Sequence, residues 1–152
     1  MLFLVFIENT AHIALILPAI FLAQPLECTT SRITPILLSK CEKQWGHIRN
    51  TDGYNHKLVA LTYYSLNYSD PVGTGLISLV NQVVAARTLA WKGIVADGFG
   101  AFAAASTGFG GDTCAAGLRI PLPTSPLTCD IHPSPAGRDL LAQAIVNALR
   151  TD

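Results

Sequence analysis

Charged residues are scarce in this chain, and their balance excludes several classes of function. Only 13% of the 152 residues are Asp, Glu, Lys or Arg, and ten basic residues offset ten acidic ones. The sequence pI is about 6.9. Proteins that bind nucleic acids or anionic membrane surfaces carry an excess of Lys and Arg, so we expect neither partner. The composition instead favours a small ligand with little or no charge.

The chain also lacks C-x-x-C pairs, internal repeats and very long apolar runs. Without a C-x-x-C pair, the cysteine spacings match no common zinc module. No uninterrupted apolar stretch reaches the roughly 18 residues of a transmembrane helix, so we expect no stable membrane span. Hydrophobic residues make up 50% of the sequence. That share is sufficient for the core of a single domain covering residues 1–152.

The four cysteines fall into two close pairs, Cys28 with Cys41 and Cys114 with Cys129. A local disulfide within each pair is the simplest interpretation, and closing loops of about 14 to 16 residues contributes roughly 3 kcal/mol each. A metal site formed by Cys114, Cys129 and His132 is the alternative interpretation. Disulfides require an oxidising compartment, which predicts a secreted or cell-envelope protein.

The N-terminal region allows two interpretations. The segment IALILPAIFLA, residues 13–23, has the length of a signal-peptide core, and Ala23 is a possible residue before a cleavage site. However, no Lys or Arg precedes it, and Glu8 and His12 interrupt the apolar sequence. Residues 2–7 equally fit a buried strand, followed by a polar turn and a helix.

Hydrophobic periodicity and turn residues divide the rest of the chain into alternating helices and strands. The predicted elements are a helix over 29–49, a turn centred on Asp52-Gly53, a strand over 58–64, a helix over 76–91, a strand within 93–102, a surface loop over 98–111 and a last helix over 135–149. Strand, helix and strand of this length form a right-handed parallel crossover. The alternation predicts an α/β fold, a three-layer sandwich with a parallel sheet.

The segment CDIHPSPAG, residues 129–137, contains an acid and a base of the kind that hydrolases use. A histidine becomes a base for a serine hydroxyl when a carboxylate on its other ring nitrogen fixes the tautomer. We expect Asp130 to reach His132 only if the chain turns between them. The alternatives are a turn or helix-capping role for Asp130 and an ordinary loop position for His132. Pro133, Pro135 and Gly137 stiffen this segment, which suits a preorganised site.

Three serines are candidates for a nucleophile, and none of the three has the sequence context of one. Ser65 and Ser69 follow the strand over 58–64, but neither has the flanking glycines of a strained strand-to-helix turn. Ser106 lies in the predicted glycine-rich loop, and the sequence GFGGD that follows it lacks the preceding strand of a phosphate-binding loop. We therefore expect none of these three serines to be catalytic.

Three segments resemble the SGNH (GDSL-type) hydrolases, a family of esterases and lipases, and most of all its secreted bacterial branch. CDIHPSPAGRDLLAQAI resembles the last block of the family, KLVALTYYS its central strand, and GIVADGFGAF the strand after its long helix. The resemblance implies a flavodoxin-like sheet and hydrolysis of a small ester or lipid substrate. His132 would be the general base and Asp130 its orienting acid, with no cofactor and no metal.

The departures from this family are equally informative. The Gly-Asp-Ser block that supplies the family's nucleophile is absent. LFLVFIENT resembles the family's third block, with Asn9 as the oxyanion donor, although Glu8 and Thr10 depart from the pattern. In that case the domain is incomplete at its N-terminus and the serine lies upstream. Two hypotheses follow: a hydrolase fragment, or a secreted, disulfide-linked binding or structural module that kept the fold and lost catalysis.

Overall fold

A computed structural model of the chain describes residues 3–7, 46–123 and 125–151. A three-stranded sheet contains β1 (Phe3–Ile7), β2 (Lys57–Leu61) and β3 (Ile94–Ala96) in that order, and a second sheet contains β4 (Arg119–Leu122) and β5 (Ser125–Pro133). The helices are α1 (Pro71–Ala90), α2 (Gly98–Ser106) and α3 (Pro135–Thr151), with a π-helical turn at His47–Thr51 and a 3-10 turn at Thr107–Phe109.

The larger sheet is mixed rather than parallel throughout. β2 and β3 are parallel and are joined through α1, as the predicted crossover requires. β1 confirms the strand expected within residues 2–7, but it runs antiparallel to β2, with Phe3 opposite Leu61. An antiparallel strand satisfies the hydrogen-bonding groups at an outer strand edge as well as a parallel one does. The chain is therefore mixed α/β, and the complete SGNH-type sandwich stays a prediction.

Alternate residues of β2 pack against helices on opposite faces of this sheet. Val59 and Leu61 belong to one apolar cluster, which also contains Leu141 and Ile145 of α3. Leu58 and Ala60 belong to a second cluster, together with residues of α1 and of the π-helical turn. Successive side chains of a strand point to opposite faces, so a uniformly apolar strand requires cover on both. This explains why the four residues from Leu58 to Leu61 are all buried.

The segment 98–111, which we expected to be a surface loop, is helical over most of its length. The Asp97 side chain accepts a hydrogen bond from the Gly100 N–H (2.8 Å) and so caps α2. Phe102 and Ser106, one helical turn apart, are fully buried. The segment contains several glycines, which disfavour helix, but the alanines among them favour it strongly enough for a helix to form. Asp97 also ends β3, so the strand is shorter than predicted.

α1 begins earlier than the apolar periodicity predicts. The Asp70 side chain accepts a hydrogen bond from the Val72 N–H (3.0 Å), and Pro71 occupies the first helical position. Both are typical of a helix start. The other predicted helix within the described residues, over 135–149, is confirmed as α3. The predicted turn is also confirmed, with Gly53 at a φ of 64°.

The two buried residues of α1, Asn81 and Thr88, are polar, contrary to the expectation from its apolar periodicity. Asn81 is buried, and its side chain accepts from the Tyr63 N–H (2.7 Å) and donates to the Tyr63 carbonyl (2.8 Å). It thereby satisfies the backbone just beyond the end of β2. The large apolar residues that remain exposed on α1 include Leu76, Leu79, Val80 and Leu89.

Among the described residues, α1 is the one helix whose length and composition would allow it to cross a membrane. It has 20 residues. A stretch of 18 of them has a mean hydropathy of 1.2, and 11% of that stretch is buried. A single helix of this kind is weak evidence for a span. The predicted helix over 29–49 is described only from residue 46 onwards, and Asn9, Cys28 and Cys41 lie outside the described residues.

Candidate active site

The predicted acid and base lie in an irregular part of the β4–β5 hairpin. The register pairs Arg119 with Pro133 and Pro121 with Cys129. One residue of β4 therefore faces three residues of β5, residues 130–132, so that β5 forms a bulge. Bulges bend a strand and change the direction of its side chains, and they are frequent beside active sites.

Asp130 and His132 are in direct contact within this bulge. Nδ1 of His132 lies 3.0 Å from Oδ1 of Asp130, and the two side chains are 50% and 41% exposed. The chain does not reverse direction between them, because residues 125–133 belong to one strand, but the bulge bends that strand at residues 130–132. Side chains two positions apart in a strand lie on the same side of it, which brings the acid to the histidine.

The electrostatics of the contact favour an ionised acid. The hydrogen bond with His132 lowers the pKa of Asp130 below its ordinary value, and a hydrogen bond from the Ile131 N–H acts in the same direction. An ionised carboxylate accepts hydrogen bonds only, so the contact assigns a proton to Nδ1 of His132. In the neutral ring, Nε2 then carries the lone pair and is the basic atom.

Two residues outside the predicted site hold the backbone of the bulge. The Tyr64 hydroxyl donates to the Ile131 carbonyl, and Nη1 of Arg119 donates to the Asp130 carbonyl at 3.3 Å. The Tyr64 ring stacks on Phe102 with a centroid separation of 4.1 Å. Burial raises the pKa of Tyr64 to about 12, so its hydroxyl stays protonated and able to donate at neutral pH. The position of Tyr64 at the end of a predicted strand could have indicated a role near the site. No feature of the sequence indicated such a role for Arg119.

Arg119 is a largely buried cation near Asp130 and His132. Its side chain is 11% exposed, and Nη2 lies 3.9 Å from Oδ1 of Asp112. Its Nε is buried without a hydrogen-bond partner among the described residues. A buried guanidinium requires nearby acceptors to offset its desolvation, and here they are the Asp112 carboxylate and the Asp130 carbonyl.

The predicted disulfide between Cys114 and Cys129 is confirmed, with a Cα–Cα distance of 5.7 Å. The Asp112 carboxylate fixes the other end of the bridge by accepting from the Cys114 N–H (2.7 Å). Because Cys129 directly precedes Asp130, the bridge ties the start of the bulge to the segment after α2. Both thiols are used in this bond, so the alternative metal site with His132 is not formed.

The chain after His132 is fixed by Ser134 at the start of α3. The Ser134 N–H donates to the Leu118 carbonyl (2.9 Å), and its hydroxyl donates to the Gly117 carbonyl (2.7 Å). The same hydroxyl accepts from the Gly137 N–H (3.2 Å), as expected of a residue that caps a helix. The bulge is therefore anchored on both sides, by the disulfide before it and by this cap after it.

The three serines rejected from the sequence have other partners. Ser65 hydrogen-bonds the Thr74 hydroxyl (3.0 Å), Ser69 the side chain of Asn67 (2.6 Å), and Ser106 the carbonyl of Phe102 (2.8 Å). In residues 46–123 and 128–151, no hydroxyl or thiol group hydrogen-bonds to His132. Nor does that part of the chain contain a group of three His, Cys, Asp or Glu side chains suited to a metal ion.

Comparison with known proteins adds no assignment. No family model matches the chain, and neither a curated protein nor a solved structure matches it. The resemblance to SGNH hydrolases therefore rests on three segments of the sequence, and the chemistry of the site rests on the contact between Asp130 and His132.

Proposed function

We propose that this chain supplies the base and the orienting acid of a serine hydrolase of the SGNH type, which acts on a small ester or lipid substrate. The observation that carries the proposal is the 3.0 Å contact between Nδ1 of His132 and Oδ1 of Asp130. The nucleophilic serine belongs to a Gly-Asp-Ser segment, which these 152 residues do not contain. Asn9, as the oxyanion donor, belongs to the same proposal.

In the proposed reaction, Nε2 of His132 takes the proton of the serine hydroxyl while the serine oxygen attacks the ester carbonyl carbon. Asp130 holds the Nδ1–H and stabilises the imidazolium that forms. When the bond to the leaving group breaks, the imidazolium donates its proton to the departing alcohol oxygen. Water then attacks the acyl-enzyme with the same assistance and releases the acid and the free serine.

Anchoring of the bulge supports this role. A base that must accept and return a proton in each step needs a fixed ring, because a small displacement from the reacting atoms costs a large factor in rate. Tyr64 and Arg119 hold the two carbonyls between the acid and the base, and the disulfide holds the residue before them. The disulfide also supports a secreted or cell-envelope location, because such bonds persist in oxidising compartments.

A short-chain nitrophenyl ester tests the proposal. The 152-residue chain should hydrolyse it no faster than buffer, because a base without a nucleophile leaves the acyl-enzyme route closed. A form extended upstream by a Gly-Asp-Ser segment should turn the ester over. In that form His132→Ala should lower kcat about 10³-fold or more, and Asp130→Asn should have a smaller effect. His47→Ala is the matched control and should leave kcat unchanged, since His47 pairs with Asp52 away from the site.

Two results would contradict the proposal. One is labelling of the 152-residue chain by a fluorophosphonate, since this would reveal a nucleophile that we have excluded. The other is an extended form that folds but shows no turnover. The second result would favour the alternative hypothesis, a disulfide-linked binding or structural module without catalysis.

A further inference from the structure

A second group of polar side chains lies at the opposite end of the larger sheet. It borders a cleft of about 650 Å³ beside the first residues of β2 and β3, and we call it the basic cleft. Its lining includes Arg49, His56, Lys57, Trp91 and Lys92. The candidate active site, in contrast, is held by the segment that follows β2. The two sites are therefore separated by the length of the sheet.

The described residues that line the basic cleft carry charge of one sign. Arg49, Lys57 and Lys92 are cations, and the described residues that line the cleft include no Asp or Glu. The Asp52 carboxylate lies 3.6 Å from Nε2 of His47 and does not belong to the described lining of the cleft. In a chain whose formal net charge is zero, this is a local concentration of positive charge. A cleft lined by charges of one sign focuses the field and attracts the opposite ion.

The Arg49 side chain is held in place before any ligand binds. Its Nη1 donates to the carbonyls of Tyr54 and His56, each at 2.8 Å. The guanidinium also lies 5.9 Å from the centre of the Tyr54 ring. A donor group that is already fixed loses little conformational entropy when it binds an anion, so this arrangement favours binding.

The backbone of Lys92 has a left-handed conformation, which is unfavourable for a lysine. Its φ is 55°, the one positive φ of a non-glycine residue in the described part of the chain. It follows the end of α1, where the Gly93 N–H donates to the Thr88 carbonyl (2.8 Å) and the Lys92 N–H to that of Leu89 (3.0 Å). Helices that end in this way usually place glycine at the position of Lys92.

The charge of Lys92 offers a reason for this choice. A lysine also interacts favourably with the carbonyl end of a helix, but a lysine within the last turn would do so with ordinary backbone geometry. Unfavourable backbone conformations that persist in a folded protein occur often at binding sites. At its present position Lys92 lines the basic cleft together with Arg49 and Lys57.

We infer that the basic cleft binds a small oxyanion with two or more negative charges, of the phosphate or carboxylate class. Arg49 and Lys92 are its cationic contacts, and the planar guanidinium suits two oxygens of one anionic group. The volume of the cleft is within the range of small-molecule sites. A nucleic acid would need a longer basic surface than this neutral chain provides. The inference is independent of the proposed hydrolase.

Titration of the full 152-residue chain with pyrophosphate and, separately, with citrate tests the inference by calorimetry and by NMR shifts of the Arg49 and Lys92 amides. We expect saturable binding of at least one anion, weakened by added NaCl. Lys92→Asn should weaken it about fivefold or more, because one charge-assisted contact is lost, whereas Lys92→Arg should retain it. Arg150→Gln, which removes a cation at the exposed end of α3, is the control and should bind like the parent.

The variants separate loss of binding from loss of folding. Asn tolerates the left-handed conformation better than lysine does, so Lys92→Asn should unfold at a temperature no lower than the parent. Preference for pyrophosphate or for citrate identifies the phosphate or the carboxylate as the ligand group. The inference is overturned if neither anion produces saturable shifts at the cleft, or if Lys92→Asn and Arg150→Gln weaken binding equally.

Discussion

Gly137→Ala is expected to destabilise the protein by displacing the start of α3. A Cβ atom at Gly137 would lie 2.2 Å from the Leu118 carbonyl oxygen and 3.1 Å from the Phe102 ring. Ordinary contacts are longer, so the helix and the Leu118 backbone must separate by about 1 Å. Overpacking of this kind costs roughly 1–3 kcal/mol. Because the Leu118 carbonyl also accepts from the Ser134 N–H, the displacement would extend to the segment after His132.

Gly75→Ala in α1 is the matched control, because nothing lies within 4 Å of the added Cβ. Replacing a glycine inside a helix with alanine should stabilise the protein by about 0.5–1 kcal/mol. Thermal unfolding followed by circular dichroism measures both effects, at roughly 3 °C per kcal/mol for a chain of this size. The two variants should therefore shift the Tm in opposite directions. Equal or raised stability of Gly137→Ala would refute the close packing of α3 on the Leu118 backbone.

The hydrogen bond with His132 lowers the pKa of Asp130. The contribution of this hydrogen bond to stability is therefore fully present above the ordinary aspartate pKa of about 3.9, and it is lost as the pH falls through the lowered pKa. A carboxyl-carbon NMR titration should give an Asp130 midpoint below about 3.9, and His132→Ala should raise it; an unchanged midpoint would argue against the contact. Replacing Cys114 and Cys129 together with serine should cost about 3 kcal/mol, because the bridge closes a loop of 15 residues. The Tm measured without reductant should fall by roughly 9 °C, and a fall of less than about 1 °C would contradict that estimate.

The tertiary structure changes how the histidine segment is understood. From the sequence, Asp130 and His132 are an acid and a base whose contact depends on an unknown local conformation. The bulge provides that conformation, and it exists because one residue of β4 faces three of β5. Residues distant in sequence maintain it, since Tyr64 lies 67 positions before the carbonyl it binds. We therefore expect substitutions at Tyr64 to affect the geometry of the contact between Asp130 and His132 more than they affect the rest of the fold.

The sequence alone determined those features that depend on neighbouring residues. The strand at Leu58, the helix over residues 76–90 and the last helix follow from local periodicity, which acts within a few residues. The bond between Cys114 and Cys129 also followed from proximity along the chain. Local physics is sufficient in these cases because the interactions that decide them are formed between near neighbours.

The tertiary structure decided the features that depend on distant residues. β1 pairs antiparallel with a strand some fifty positions away, and no local pattern encodes that direction. Asn81 rather than Leu76 faces the sheet, because the Tyr63 backbone beyond the end of β2 needs hydrogen-bond partners that only a polar side chain supplies. The contact between Asp130 and His132 likewise required the pairing of β4 with β5. In each case a polar group or an apolar surface finds its partner in a part of the chain that is distant in sequence. Local patterns cannot identify that partner, because the two parts meet only in the folded chain.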